Sequence, residues 1–172
     1  MVTSTPSSPS GWEAPSPEEL DGILTNYEVT ALIGMGGMGA VYRALQTHLD
    51  REVAIKILPM ELAVDEEGMQ FAERFRQEAK SMAKLSHPAI IQVFDFGEAE
   101  SPTGGEFLYF VMEFVEGMDI LGYLKEHGGR LEPSYAHSII CHVLDALDFA
   151  HSNGIIHRDI KPANIMLDQH GR

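Results

Sequence analysis

The sequence predicts an α+β fold: a five-stranded antiparallel sheet with one helix, followed by an incomplete, mostly helical part. Three observations point there. Short apolar–polar alternations recur up to residue 112, as at Val53, Ile55 and Ile57, and a period of two marks a half-buried strand. After Gly117 the apolar positions take helical spacing, and Ile139, Ile140, Val143, Leu144, Leu147 and Ala150 form a wide stripe. The glycine-rich run from Gly34 to Gly39 is followed by a strand-like Ala40-Val41-Tyr42-Arg43-Ala44, so it turns a β-hairpin.

Residues 1–19 contain Pro6, Pro9, Pro15, Pro17 and many serines and threonines. Such composition buries too little apolar surface to offset ordering entropy, so a disordered tail is expected. Strands are expected at 27–33, 40–44 and 52–58, the last stopped by Pro59. A helix is expected over 66–85, with acidic residues in its first turn where the helix dipole favours them. Phe71, Phe75, Met82 and Leu85 share one of its faces, and Ser86-His87-Pro88 ends it. Strands at 91–96 and 107–112 follow, joined by the turn-forming stretch 101–105. Helices are then expected over 120–126 and 133–152. Pro133 is tolerated in a first turn, and Asn153-Gly154 supplies a left-handed stop. The domain organisation expected is the tail, then one domain over 27–172, divided into 27–112, a connection at 113–117, and 118–172.

The net charge of −14 lacks the basic footprint that nucleic-acid binding needs. A solubilising acidic surface also suits basic substrate peptides. Cys141 is the one cysteine, so an internal disulfide and a Cys-rich metal site are excluded within these residues. Its apolar neighbours predict a buried thiol. There is no basic segment leading into an apolar run at the start and no stretch of about 18 apolar residues, so neither a signal peptide nor a membrane segment is expected. These features fit a cytoplasmic setting.

Three motifs bear on chemistry. Gly34-Met35-Gly36-Gly37-Met38-Gly39-Ala40-Val41 has the form G-x-G-x-x-G-x-V. Its glycines permit close backbone approach and free amides for phosphate oxygens. Val53-Ala54-Ile55-Lys56 places a lysine on a strand whose other face is core, where it needs an anionic partner. Glu78 and Glu73 on the expected helix are the candidates. Third, His157-Arg158-Asp159-Ile160-Lys161-Pro162-Ala163-Asn164 gathers a carboxylate, a lysine and an amide within eight residues.

The third motif resembles the catalytic loop of protein kinases, and its lysine form the serine/threonine branch. Together the motifs resemble eukaryotic-like (Hanks-type) serine/threonine kinases of bacteria, over about Tyr27 to Gly171. The resemblance implies a two-lobe kinase fold, with 27–112 as the N-lobe, 113–117 as the hinge and 118–172 as the start of the C-lobe. It implies ATP with Mg²⁺ or Mn²⁺, and protein substrates bearing Ser or Thr, with self-association or autophosphorylation as a further partner reading. Asp159 would be the base, and Lys161 would balance charge on the transferred phosphoryl group. Asn164 would bind metal, and Lys56 would contact phosphates while paired with Glu78. Ile33, Gly34, Met35, Gly36, Gly37, Met38, Gly39, Val41, Ala54, Met112, Glu113, Val115 and Met166 would surround the nucleotide. Met112 would be the gatekeeper, and the backbones of Glu113 and Val115 would meet the adenine edge. His157 is read as a packing residue and Asp119 as a ligand for ribose or a substrate cation.

Asp95-Phe96-Gly97 copies the family's metal-binding triplet. It lies before the expected hinge and inside a strand pattern, with Gly97 opening a hairpin, so it is set aside. Asp168 is set aside too, because Gln169-His170-Gly171 follows it as a turn. The family's Asp-Phe-Gly and activation segment do not occur by Arg172, which implies a fragment with little activity alone. The alternatives are a non-catalytic nucleotide-binding or scaffold protein, and a small-molecule kinase, which the Lys161-Pro162-Ala163-Asn164 pattern disfavours.

Overall fold

Alternating side chains build a sheet with two apolar faces. A computed structural model describes residues 12–36, 39–59, 77, 79–101 and 105–171. Strands β1 (Tyr27–Gly36), β2 (Gly39–Gln46), β3 (Arg51–Pro59), β4 (Val93–Glu100) and β5 (Glu106–Glu113) pair antiparallel in the order β1-β2-β3-β5-β4. Directly opposed residues share a face. Register therefore puts Val41, Lys56 and Phe110 in one row, and Arg43, Ala54 and Met112 in the next row of the same face. On that face Ala79 and Met82 pack with Leu58, Val93, Phe96, Leu108 and Phe110. Residues 79–82 are helical and the chain turns at Ala83 and Lys84, before the Leu85 end expected; residues 60–76 of that helix and its approach lie outside the described residues.

The opposite face carries Ala40, Tyr42, Ala44, Val53, Ile55, Ile57, Phe107 and Val111, all buried. Its cover is the N-terminal segment, which corrects the expectation of a disordered tail for residues 12–19. Ser16 caps α1 (Pro17–Asp21): its side chain accepts from the Glu19 amide at 3.2 Å, while the Glu19 carboxylate accepts from the Ser16 amide at 2.7 Å. This reciprocal capping, with proline in the first turn, starts a helix despite the composition. Leu20 and Leu24 enter the core, with Trp12, Ala14 and Ile23 packed against it. The Tyr42 hydroxyl donates to the Pro15 carbonyl at 2.7 Å, and the Val29 amide donates to Asp21 Oδ1 at 3.0 Å. Residues 1–11 lie outside the described residues.

Gly97 is mid-strand, opposite Tyr109, rather than at a turn; a Cβ there would meet the Tyr109 ring. Asp95 belongs to this strand: Oδ1 accepts from the Phe96 amide and Oδ2 accepts from the Tyr27 hydroxyl.

A second compact unit comprises residues 84–92 and 115–172; the first is the chain to 83 with 93–114. It holds β6 (Gly117–Asp119), α2 (Ile120–Glu126), α3 (Pro133–Ser152), a 3₁₀ turn (Pro162–Asn164) and β7 (Met166–Asp168), with β6 and β7 antiparallel. Both helices match the spans expected. α3 ends in a Schellman motif: Ile155 donates to Ala150 O, Gly154 donates to His151 O, and Gly154 takes φ +76°. Ile120, Ile139 and Leu167 form the core. Residues 84–92 join this unit through His87, whose ring lies tilted against Phe149 at 5.2 Å. Its Nδ1 accepts from the Ala89 amide, which leaves Nε2 to donate to Asp145 at 3.2 Å. Only part of the α3 stripe is buried: Ile139 and Ala150 are, together with Ala146 beside them, while Ile140 and Leu144 are 53% and 59% exposed. Cys141 is exposed, contrary to expectation, because it falls on this uncovered side of the helix.

Leu20→Ala should destabilise the first unit by about 2–5 kcal/mol through cavity formation, read as a shifted denaturant midpoint. Burial is the main reason that the Tyr27 and Tyr42 hydroxyls are pushed up to about 12. An unfolded tyrosine ionises near 10. Above that pH the unfolded chain binds fewer protons than the folded one, so stability should be intact below pH 10 and fall between 10 and 12. Urea titrations across that window check this; a flat profile contradicts it.

Candidate active site

The loop after α3 is shaped by backbone constraints. Arg158 has φ +64°, a left-handed conformation uncommon outside glycine. Such a conformation costs on the order of 1–3 kcal/mol and reverses the chain just before Asp159. Pro162 then opens the 3₁₀ turn, in which the Asn164 amide donates to Lys161 O at 2.8 Å. The turn carries Asn164 back over Asp159. Its Nδ2 donates to Asp159 O at 2.9 Å and to Asp159 Oδ2 at 3.0 Å. Lys161 Nζ donates to the same Oδ2 at 2.8 Å. The Asp159 amide donates to His157 Nδ1 at 3.3 Å. His157 is exposed, so it braces the loop rather than filling a core.

The Lys161 ammonium bonded to Oδ2 is the main reason that the Asp159 carboxyl lies below its usual value; desolvation opposes it, and the Asn164 amide and the charge of Lys161 add to the lowering. Asp159 is thus an exposed, ionised carboxylate with one oxygen held by two donors, which leaves Oδ1 to accept from an incoming group. Asn164 spends its NH₂ on Asp159, which turns its carbonyl oxygen away as a hard donor. The described residues hold no cluster of three or more His, Cys, Asp or Glu arranged for a metal. A lone amide oxygen beside a carboxylate fits a Mg²⁺-like ion that takes most of its ligands from phosphate and water.

The β6–β7 ribbon anchors both ends of the region. Gly117 pairs with Asp168, Met118 with Leu167 and Asp119 with Met166. A side chain at 117 would run into the Leu167 carbonyl oxygen, so this position requires glycine. The Asp119 carboxylate caps α2, accepting from the Gly122 amide at 2.8 Å. Met166 is half-buried.

In the first unit, Gly34 pairs with Val41, Met35 with Ala40 and Gly36 with Gly39, so the hairpin is closed up to its tip. Gly37 and Met38 lie outside the described residues. Gly39 has φ +140° and no room beside the Ile57 carbonyl oxygen, so it is a structural glycine. A Cβ at Gly36 would meet nothing within 4 Å, and one at Gly34 would make only ordinary contacts with Val41. Packing does not demand glycine at either. Half-buried Val41, Lys56 and Met112 and buried Ala54 share one face of the sheet. Ile33, 48% exposed, falls at a register shift of β1. Glu113 ends β5 exposed, and Val115 follows half-buried. Glu78 lies outside the described residues, as does Glu73, so the Lys56 pairing does too. The overlooked element is the segment 12–26; its signal was Ser16-Pro17-Glu18-Glu19, a capping-box pattern leading into Leu20, Ile23 and Leu24.

Replacing Lys161 by Ala should raise the Asp159 carboxyl toward ordinary values, since its largest stabilising bond is lost. A carboxyl NMR titration checks this, and an unmoved Asp159 contradicts it.

Comparison with known proteins gives one answer. The protein kinase domain family profile matches residues 27–172. The chain is 45% identical over 145 residues to the serine/threonine-protein kinase PknB of Mycobacterium tuberculosis. It is 45% identical over 149 residues to serine/threonine-protein kinase PrkC of Bacillus subtilis. These matches cover 84% and 87% of this chain but 22% of either relative. The solved PknI kinase domain of M. tuberculosis superposes with a TM-score of 0.71 at 33% identity, over 83% of this chain and 54% of that one. No helix among the described residues is long and apolar enough to cross a membrane.

Proposed function

The chain belongs to the protein kinase family, and from that premise we propose that the protein containing it transfers the γ-phosphate of ATP to serine or threonine hydroxyls of proteins. The family uses ATP and a divalent metal; Mg²⁺ or Mn²⁺, held here through Asn164, would neutralise charge on the phosphates. The observation that supports the reading best is the Asp159 carboxylate held jointly by Lys161 and Asn164.

Asp159 is the residue that orients the substrate hydroxyl and accepts its proton as the oxygen bonds to phosphorus and ADP leaves. In a loose transition state, orientation contributes more than strong proton abstraction. Lys161 is positioned one bond from that carboxylate, suited to balance charge on the transferred group. Asn164 Oδ1 is the metal donor. In the first unit, the backbone of Gly34 and Gly36, with Met35, Gly37, Met38 and Gly39, approaches phosphate, and Lys56 contacts phosphate while paired with Glu78. Ile33, Val41, Ala54, Met112 and Met166 line the adenine, whose edge meets the backbone of Glu113 and Val115. Residues 113–117 serve as the hinge of a 27–172 partial domain. Substrates include other copies of the same protein, and the site of action is the cytoplasm, where ATP is supplied. Expressed alone, these 172 residues should turn over orders of magnitude more slowly than a chain that also supplies a metal-binding carboxylate.

In the full-length protein, Asp159→Asn should lower kcat by at least about a hundredfold with little change in KM for ATP, the pattern of a group acting in the transition state. A phosphotransfer assay on a Ser/Thr peptide that leaves kcat within twofold of wild type would overturn the catalytic assignment.

A further inference from the structure

The family match begins at Tyr27, yet residues 12–26 are part of the first unit's core. Period-two alternation gives each strand of that unit two roles. Val41 and Lys56 point to the face read as nucleotide-binding, while their neighbours Tyr42 and Ile55 point to the other. The strap of residues 12–26 covers that other face. Leu20 is fully buried, and Trp12, Ala14, Ile23 and Leu24 pack on the same cluster as Tyr42, Ile55 and Val111. Its polar ties go to the hairpin that contains the glycine run. The Tyr42 hydroxyl on β2 holds the Pro15 carbonyl, Asp21 holds the Val29 amide on β1, and both the amide and the hydroxyl of Thr47, just past β2, donate to the Asn26 carbonyl. Every one of these bonds fixes β1 or β2 or the residue next to them.

We propose that residues 12–26 are a peptide latch, docked in cis on the distal face of the sheet, that holds the β1–β2 hairpin in register and so positions the glycine-rich turn for ATP. Tyr42 is the positioning residue of the latch. A tyrosine hydroxyl is protonated, and therefore a donor, across the physiological range, and burial pushes its ionisation further up. The docking surface is apolar, with one buried donor matched to a backbone carbonyl; it suits a segment whose apolar residues fall as Trp12, Leu20, Ile23 and Leu24 do. The inference rests on the kinase reading only where it invokes ATP.

The test compares full-length protein with a form lacking residues 1–26, and adds a synthetic peptide of residues 12–26 in trans. Trp12 is the single tryptophan of these 172 residues, so the peptide brings its own fluorophore. The peptide should bind the shortened protein with a blue shift of tryptophan emission, and restore slow hydrogen exchange to the amides of residues 27–46. Deletion should raise KM for ATP at least about fivefold with kcat within about twofold, and peptide should reverse this; Tyr42→Phe in the full-length protein should give a smaller rise of the same kind. A folded shortened protein that ignores the peptide, or one whose KM for ATP and hairpin exchange match the full-length form, overturns the latch. If deletion prevents folding, Trp12→Ala and Tyr42→Phe decide: raised KM for ATP and faster hairpin exchange in both support it, and unchanged values in both overturn it. An inactive wild type would count against the kinase reading, while peptide binding and exchange would still judge the latch.

Discussion

A sheet that is apolar on both faces must be covered twice, and the first unit is organised around that constraint. The row of Tyr42, Ile55 and Val111 is buried beneath the strap, while the row of Val41, Lys56 and Phe110 faces the other way. Because parity is all or nothing in a strand, a slip of one residue would send Lys56 under the strap and Tyr42 to the opposite face. The apolar packing of one face thus fixes which side chains the other can present. An isolated lysine on a strand gains its address from the hydrophobic residues flanking it.

The candidate transfer machinery is built on a different principle. Asp159, Lys161 and Asn164 are all exposed, and no large core holds them. Their arrangement comes from short-range geometry: a left-handed Arg158, a proline-initiated turn, and two donors converging on one carboxylate oxygen. β7 pins the chain just after this loop by pairing with β6, and Gly117 allows the two backbones to approach. Local rigidity substitutes for burial, which keeps the carboxylate accessible and ionised.

Where the alternation or the helical stripe was long, the sequence was readable: five strands, α2 and α3 emerged with bounds close to those observed, and the Schellman stop at Asn153-Gly154 followed from its residues. Strand ends were less legible, since pairing extends β1 to Gly36 and β4 to Glu100 through residues with weak strand character. β6 and β7 are three residues each and exist only by pairing with one another, which no local pattern reveals. The strap was missed because proline and serine content dominated the reading, although the four-residue capping signature was present. Cys141 was misread because apolar neighbours on a helix do not bury a residue unless something covers that side; Ile140 and Leu144 lie beside it and are themselves exposed. Asp159, Lys161 and Asn164 were legible as residue types, but the pair of hydrogen bonds from Asn164 to Asp159 needed the turn at Pro162 to be seen.

The exposed thiol has a practical consequence for anyone wishing to watch this molecule move. Cys141 on α3 is the single cysteine of these residues and is open to solvent, in the second compact unit. Trp12 belongs to the first. Without any engineering, the chain therefore offers one native energy donor and one native attachment point for an acceptor dye, one per unit, and a single labelling reaction would make any change in the distance between them readable as fluorescence.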